Sequence, residues 1–418
     1  MCSSLALVQA LAVYSTLAVT LGLVAVRPRV RGSMRLSPAA ACAAGVVVLA
    51  LVGAIGWPEL GAAVLAVWRA LLTIAALMVV SEASRRAGLL AWAASLAEAR
   101  ARSTRGLFIL VFALGAVTAT ALNNDAAVLL VTPLVLALVA RTHPQGPELA
   151  LPFATAVFAS AGVAPFFVSN PMNALAADLA GIDFMPYAAR MAPVAVAVWL
   201  VSLGVLLLLF RRALAAPMAR GETPAPMTRR QKQLLAVVGG VLAGYLVIGW
   251  AGGPAWTVAV AGAVAAALVV GESARDRLRL CREAISWDTL GFLIGVLVLA
   301  AGLASVGFVD LLATHYRGSG PVEIGVSSAF GSAVLNNHPM AMLNVMALGG
   351  APDSHVLAAL VGGDLGPRLL PAGSLAGLLW VELLRRHGIR IGTGRFAAIG
   401  LALTAPALAA ALWLLSVG

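Results

Sequence analysis

Asn123, Asn124 and Asp125 stand together between two apolar runs, and the amide pair recurs as Asn336–Asn337 ahead of His338 and Pro339. Two more polar interruptions break apolar sequence, Val-Ser-Asn-Pro-Met-Asn at 168–173 and Gly-Gly-Asp-Leu-Gly-Pro-Arg at 362–368, the latter followed by Pro371, Gly373 and Ser374. Amides and hydroxyls at these places offer neutral donors and acceptors. Gly362, Gly363, Gly366 and Gly373 permit unwound backbone whose carbonyls can face a ligand. The candidate binding set is Asn123, Asn124, Ser169, Asn170, Asn173, Asn336, Asn337, Gly373 and Ser374. Such a lining suits a small, polyhydroxylated or weakly charged solute, or a bare monovalent cation.

Asp125 and Asp364 are the ionisable pair, and they are candidate proton carriers. A charged Asp at the centre of a membrane helix costs about 2.5–3.5 kcal/mol on insertion scales, and desolvation favours the neutral form of a carboxyl. The plainer alternative for Asp364 is a static pair with Arg368. For the tip residues it is capping, because Asn124 or Asp125 can satisfy the orphan N–H groups of a helix starting at Ala126. Capping accounts for one polar residue or two, but not for the same Asn pair in the second half, and capping and binding can coexist. His338 can titrate or simply be a satisfied tip residue. Arg69 lies within a span and can pair with an acid, while Glu82 and Glu382 are expected to be solvated anchors. No catalytic residue and no metal-ligating set is indicated; there is no His-Glu-x-x-His, and no serine or cysteine stands beside a plausible base, which excludes a membrane-embedded hydrolase.

The elements that must hold these residues are membrane helices. The 418-residue chain is 61% hydrophobic and 11% charged, with a mean hydropathy of +0.98, where a soluble domain carries about 25% charged residues. Ten crossings are expected, at 5–26, 38–56, 60–80, 149–180, 191–210, 234–250, 255–271, 287–302, 355–384 and 396–415. The fourth and ninth are too long for one straight helix across a core of roughly 30 Å. Both carry the polar interruptions above, so they are expected to be broken helices. Two apolar pairs, 106–140 and 324–348, flank the Asn pairs and are expected to be re-entrant hairpins.

The net charge of +11 is a matter of placement. Twenty-four of 28 basic residues fall in six short stretches, 27–35, 84–105, 141, 211–232, 272–286 and 385–395. Threading ten crossings and two hairpins puts all six on one side, the positive-inside signature, and no nucleic-acid partner is implied. The termini are then outside. The apolar N-terminus lacks a basic region ahead of it and is expected to be a first span, not a cleaved leader. Cys2, Cys42 and Cys281 have no paired spacing.

The halves echo each other. Asn123 answers to Asn336 (213 apart), Gly88 to Gly307 (219 apart) and Pro165 to Pro367 (202 apart). An odd number of crossings per half inverts the repeats, expected at 1–212 and 234–418 around a cytoplasmic linker at 213–233. Inverted repeats with discontinuous helices are a secondary-transporter architecture. The segment 86–105 is expected to lie as an amphipathic helix at the cytoplasmic interface.

At these residues the chain resembles the arsenite/antimonite efflux permease family of the ion-transporter superfamily. The resemblance runs through Asn-Asn-Asp-Ala-Ala-Val-Leu-Leu-Val-Thr-Pro at 123–133, 166–188, Asn-Asn-His-Pro at 336–339 and, above all, Gly-Asp-Leu-Gly-Pro-Arg-Leu-Leu-Pro-Ala-Gly-Ser-Leu-Ala at 363–376. It implies extrusion of trivalent metalloid from a bacterial cytoplasmic membrane in exchange for protons, with the proton gradient rather than a cofactor as energy source, and in some members a soluble ATPase as partner. Gly363 stands where members often carry Cys, Pro171 and Met172 replace aliphatic residues, Ala126 replaces a Gly, and His338 replaces a common Met. An amide-lined site without cysteine suits arsenous acid, mostly an uncharged triol near neutral pH. A sodium/proton antiporter or a sodium-coupled anion transporter would use the same oxygens.

Overall fold

The structure is a computed structural model that describes residues 2–31, 34–219 and 224–417. Residues 220–223 of the expected linker lie outside the described residues, as does the side chain of Cys2; Cys42 and Cys281 are free thiols. In chain order the first half comprises α1 (Cys2–Val26), α2 (Pro38–Leu51), α3 (Trp57–Arg86), α4 (Leu89–Arg100), α5 (Thr104–Ala121), α6 (Asn124–Thr142), α7 (Ala150–Ser160), α8 (Pro171–Ala180) and α9 (Phe184–Leu209). The second comprises α10 (Arg229–Trp250), α11 (Ala255–Val270), α12 (Ala274–Ala284), α13 (Trp287–Ser305), α14 (Phe308–Tyr316), α15 (Pro321–Leu335), α16 (Asn337–Ala347), α17 (Asp353–Leu365), α18 (Leu375–Arg386) and α19 (Thr393–Val417). The ten crossings are α1, α2, α3, the broken α7–α8, α9, α10, α11, α13, the broken α17–α18 and α19. This is an all-α polytopic membrane protein; a two-stranded antiparallel ribbon pairing Arg29 with Arg35 is the one strand feature among the described residues.

Both hairpins close on their own side. At 18 and 19 residues, α5 and α6 are each long and apolar enough to cross by length alone. Their far ends nevertheless meet, with Thr104 Oγ1 2.8 Å from His143 Nε2 and donating to the carbonyl of Ala216. The Ala219 N–H donates to the Thr142 carbonyl, and Arg141 pairs with Glu98 of α4. The hairpin therefore ends on the side where it began, with its tip, Asn124 and Asp125, at the central polar cavity. In the second half, Tyr316 at the end of α14 donates to Asn344 near the end of α16 (2.7 Å), closing α15–α16 in the same way.

The basic stretches are gathered on one side by specific contacts. Arg86 pairs with Glu283 and Arg230 with Glu272, Trp92 donates its indole N–H to the Ala225 carbonyl, and the Ala39 N–H donates to Asp288. Exposed pairs like these add little stability, but they record which segments share a surface. On the opposite side Arg190 pairs with Asp353.

The repeat is visible in backbone as well as sequence. Gly88 (φ +72°) opens α4 and Gly307 (φ +82°) opens α14, so the same left-handed turn, which glycine adopts without steric cost, redirects the chain at the same place in each half. Two elements differ from expectation. The basic stretch 272–286 is a helix, α12, started by a Ser273–Asp276 capping box. The connection after Gly307 is also helical, as α14. Glu82 and Glu382 are anchored by Arg85 with Arg86 and by Arg385 with Arg386, respectively, so they are paired and not merely solvated.

Candidate functional site

Four helix N-termini meet in the middle of the fold, each opened by a polar residue of the sequence motifs. Asn123 Oδ1 accepts from Ala126 N (2.7 Å) to start α6. Asn336 Oδ1 accepts from His338 N (3.3 Å) to start α16. Asn170 Oδ1 accepts from Met172 N (3.1 Å) at α8, and Ser374 Oγ from Gly377 N (2.9 Å) at α18. Capping therefore falls to the first Asn of each pair, in place of the Asn124 or Asp125 that the sequence suggested. Asn336 does so at φ +77°, a setting L-residues rarely adopt, held by a further bond from its Nδ2 to the Ala372 carbonyl (3.1 Å).

The second Asn of each pair is left over. Asn124 and Asn337 line a cavity of about 60 Å³ with Asp125, Phe158, Gly162, Asn170, Pro171, Thr289, Phe292, His338, Asp364, Arg368 and Ser374. The Oδ1 atoms of both are buried without a hydrogen-bond partner among the described residues. A buried acceptor left unpaired costs roughly 1–3 kcal/mol, and here it recurs at matching positions of the two halves. Four positive helix ends face this space, against two C-terminal ends, that of α7 at Ala161–Gly162 and that of α17 at Pro367.

Asp364 is buried and held across the repeat boundary. Asn170 Nδ2 donates to its Oδ1 (2.6 Å) and Asn173 Nδ2 to its Oδ2 (2.9 Å). Among the described residues Arg368 makes no direct ion pair with Asp364: its guanidinium donates to Ser202 Oγ (3.2 Å) and to the Ala159 carbonyl, and lies over Gly162, where a Cβ would meet it at 2.3 Å. Both polar side chains of the second-half break are thus fastened to the first half. Asp125 is half-buried and has no such partners among the described residues. It lies between the cavity and a vestibule of about 240 Å³ that reaches Glu82, Ala284 and Ser286 on the basic side; Asp125, Pro171, Thr289 and Leu375 border both.

The remaining candidates are distributed as follows. Ser169 is buried and donates to the Thr120 carbonyl (3.1 Å), fixing the α8 break to the α5 tip without lining the cavity. Asn123 donates to Ser81 of α3 (3.4 Å). Gly362 and Gly363 are helical within α17, correcting the expectation of unwound carbonyls there. A Cβ at Gly362 would stand 2.2 Å from the Gly325 carbonyl and one at Gly366 2.2 Å from that of Ala329, so these glycines let α15 and α17 touch. Gly373 likewise sits against Pro367, 2.7 Å from a Cβ to its Cα. Gly363 abuts Met172 (3.1 Å from a Cβ to Cε). Arg69 lies in a separate outer vestibule with Asp178 and Asp183. Thr289, Phe292 and Phe158 line the cavity without any motif to announce them; they come from uninterrupted apolar helix.

Discontinuous helices of two inverted repeats, meeting tip to tip around a polar cavity, define a membrane transporter. The chain belongs to the arsenical pump membrane protein family, which matches residues 11–417. It is similar to the arsenical pump membrane protein of Escherichia coli K12, 30% identical over 365 residues that cover 82% of this chain and 84% of that protein. It is also similar to an uncharacterized transporter of Mycobacterium tuberculosis, 28% identical over 380 residues, covering 83% and 86%. Among solved structures, the YdaH transporter of Alcanivorax borkumensis has the same fold, with a TM-score of 0.62 at 16% identity over 99% of this chain and 98% of that one.

Proposed function

We propose that this protein extrudes arsenite and antimonite across the bacterial cytoplasmic membrane in exchange for protons, with both termini outside and the repeats spanning 1–212 and 234–418. The observation that carries this is the cavity where the unpaired amides Asn124 and Asn337 face the two carboxyls, Asp125 and Asp364. Neutral acceptors serve an uncharged trihydroxy solute. Asp125, bordering the vestibule on the basic side, takes solute and exchanges protons with the cytoplasm; Asp364, held by two amide donors, is the inner carboxyl. Family membership supports the substrate. Four positive helix ends favour a neutral or electron-rich guest over a bare cation.

Exchange of a neutral solute for an inward proton moves net charge, so membrane potential and pH gradient both drive it. Everted vesicles are expected to accumulate radiolabelled arsenite when energised, to lose it on addition of a protonophore, and to be indifferent to sodium. Asp125→Asn is expected to abolish uphill accumulation. Sodium-dependent activity without arsenite flux would reject the assignment.

A further inference from the structure

A groove of about 410 Å³ lies between α3 and α11 and shares no lining residue with the central cavity. Leu72, Ala76 and Val79 wall it on the α3 side, and Val260, Val264 and Leu268 on the α11 side. Each set is spaced by three or four residues and so forms one helical face, and from Val260 to Leu268 the groove follows its helix for about 12 Å. At its basic end α12 closes it with Arg277, Leu278 and Cys281.

Arg277 is held at this mouth. Its Nε donates to the Gly271 carbonyl (3.1 Å), and a Cβ at Gly271 would meet the arginine Cγ at 2.5 Å, so a glycine makes room for the stem. On the same helix Leu278 is 72% exposed, with Arg275 one turn before it and Arg282 one turn after it. The acids of α12 are already engaged, Asp276 in capping Ser273 and Glu283 in pairing with Arg279 and Arg86. Arg275, Arg277 and Arg282 have no ion pair among the described residues.

We infer that this groove binds one anionic phospholipid of the leaflet on the basic side, with an acyl chain between α3 and α11 and the phosphate at Arg277, flanked by Arg275 and Arg282. Ordinary contact with the bilayer needs only apolar surface; a basic cluster at the mouth of an apolar groove matches an anionic headgroup joined to a chain. A free anion leaves the apolar walls unfilled. A second copy packed by two-fold symmetry sets the same surface of both chains together, arginine against arginine. The exposed Leu278 between arginines is the pattern of a helix lying in the membrane interface. Another face of α3 carries Ser81 and Glu82 of the vestibule, so the lipid braces a wall of the access path. The inference does not depend on which solute is moved.

The test is native mass spectrometry of the purified full chain in mild detergent, with phosphatidylglycerol and phosphatidylcholine of equal chain length added in turn. Wild type is expected to retain one phosphatidylglycerol, at least about fivefold more tightly than phosphatidylcholine. Arg277→Gln is expected to weaken phosphatidylglycerol about fivefold, and Val264→Trp, at an exposed wall position, to displace both lipids by filling the groove. Arg390→Gln, in a different basic stretch, is expected to stay within about twofold of wild type. Melting temperatures without added lipid show that each variant is folded. Equal retention of the two lipids, or an equal loss in Arg390→Gln and Arg277→Gln, overturns the site. Displacement of the lipid by equimolar inorganic phosphate overturns it in favour of a free anion, and a lipid-free dimer that Val264→Trp dissociates overturns it in favour of a second copy.

Discussion

At the residue scale the Asn pairs divide their work. Asn123 and Asn336 cap helices, while Asn124 and Asn337 line the cavity and keep buried, unpaired oxygens. Asn124→Leu and Asn337→Leu are each expected to cut arsenite accumulation at least about tenfold, since each strands a hydroxyl and fills a small cavity. Both should leave a monodisperse protein in detergent. Asn123→Ala is expected instead to destabilise by about 1 kcal/mol through the lost cap, visible as a lower melting temperature. Normal transport by either Leu variant would remove the second Asn from the binding site. The duplicated pair was legible in the sequence, but its division of labour was not, because two identical amides are assigned by the direction in which the backbone leaves the break. The positive φ of Asn336 has no sequence signature except the residue type that tolerates it. Arg368 was misplaced for a related reason: four residues from Asp364 in sequence, it is drawn away by Ser202 and the Ala159 carbonyl from the other half.

At the element scale, broken helices and hairpins followed from length and polarity, and the structure has them where the sequence placed them. Glycines in the second break suggest unwound backbone, yet Gly362, Gly366 and Gly373 serve close contact instead. Gly362→Ala is expected to destabilise by about 1–3 kcal/mol through overpacking against the Gly325 carbonyl, with loss of folded material by fluorescence-detected chromatography. Gly363→Cys is expected to be tolerated, because the atoms it meets are the flexible end of Met172. Equal behaviour of the two variants would contradict the α15–α17 contact. Helix α12 is too short and too charged to stand out as a span, and its one local signal is the Ser273–Asp276 capping box. A buried polar chain holds α15, α16 and α17 together, with Asn344 donating to Ser328 (2.8 Å) and Ser328 to the Ala359 carbonyl (2.6 Å). Such side chains tie helices together where hydrophobic burial gives no preference between helix and lipid.

At the scale of the whole molecule, charge placement sets the orientation. The ion pairs join four of the six basic stretches, 84–105, 141, 211–232 and 272–286, on one face, and the positive-inside rule predicts that this face is cytoplasmic. In a background without Cys2, Cys42 and Cys281, Val30→Cys and Arg390→Cys are expected to label only from the cytoplasm, and Arg317→Cys only from outside. External labelling at position 390 would invert the orientation. The central claim is that metalloid movement and proton movement are one process, carried by a site that joins unpaired amides to two carboxyls. It is tested most directly with purified protein in proteoliposomes enclosing a pH-sensitive dye, by imposing an arsenite gradient in the absence of any pH or sodium gradient. The account predicts that arsenite moving down its gradient drives protons the opposite way, with a pH change that vanishes in Asp125→Asn. Arsenite flux with no accompanying proton movement would contradict it.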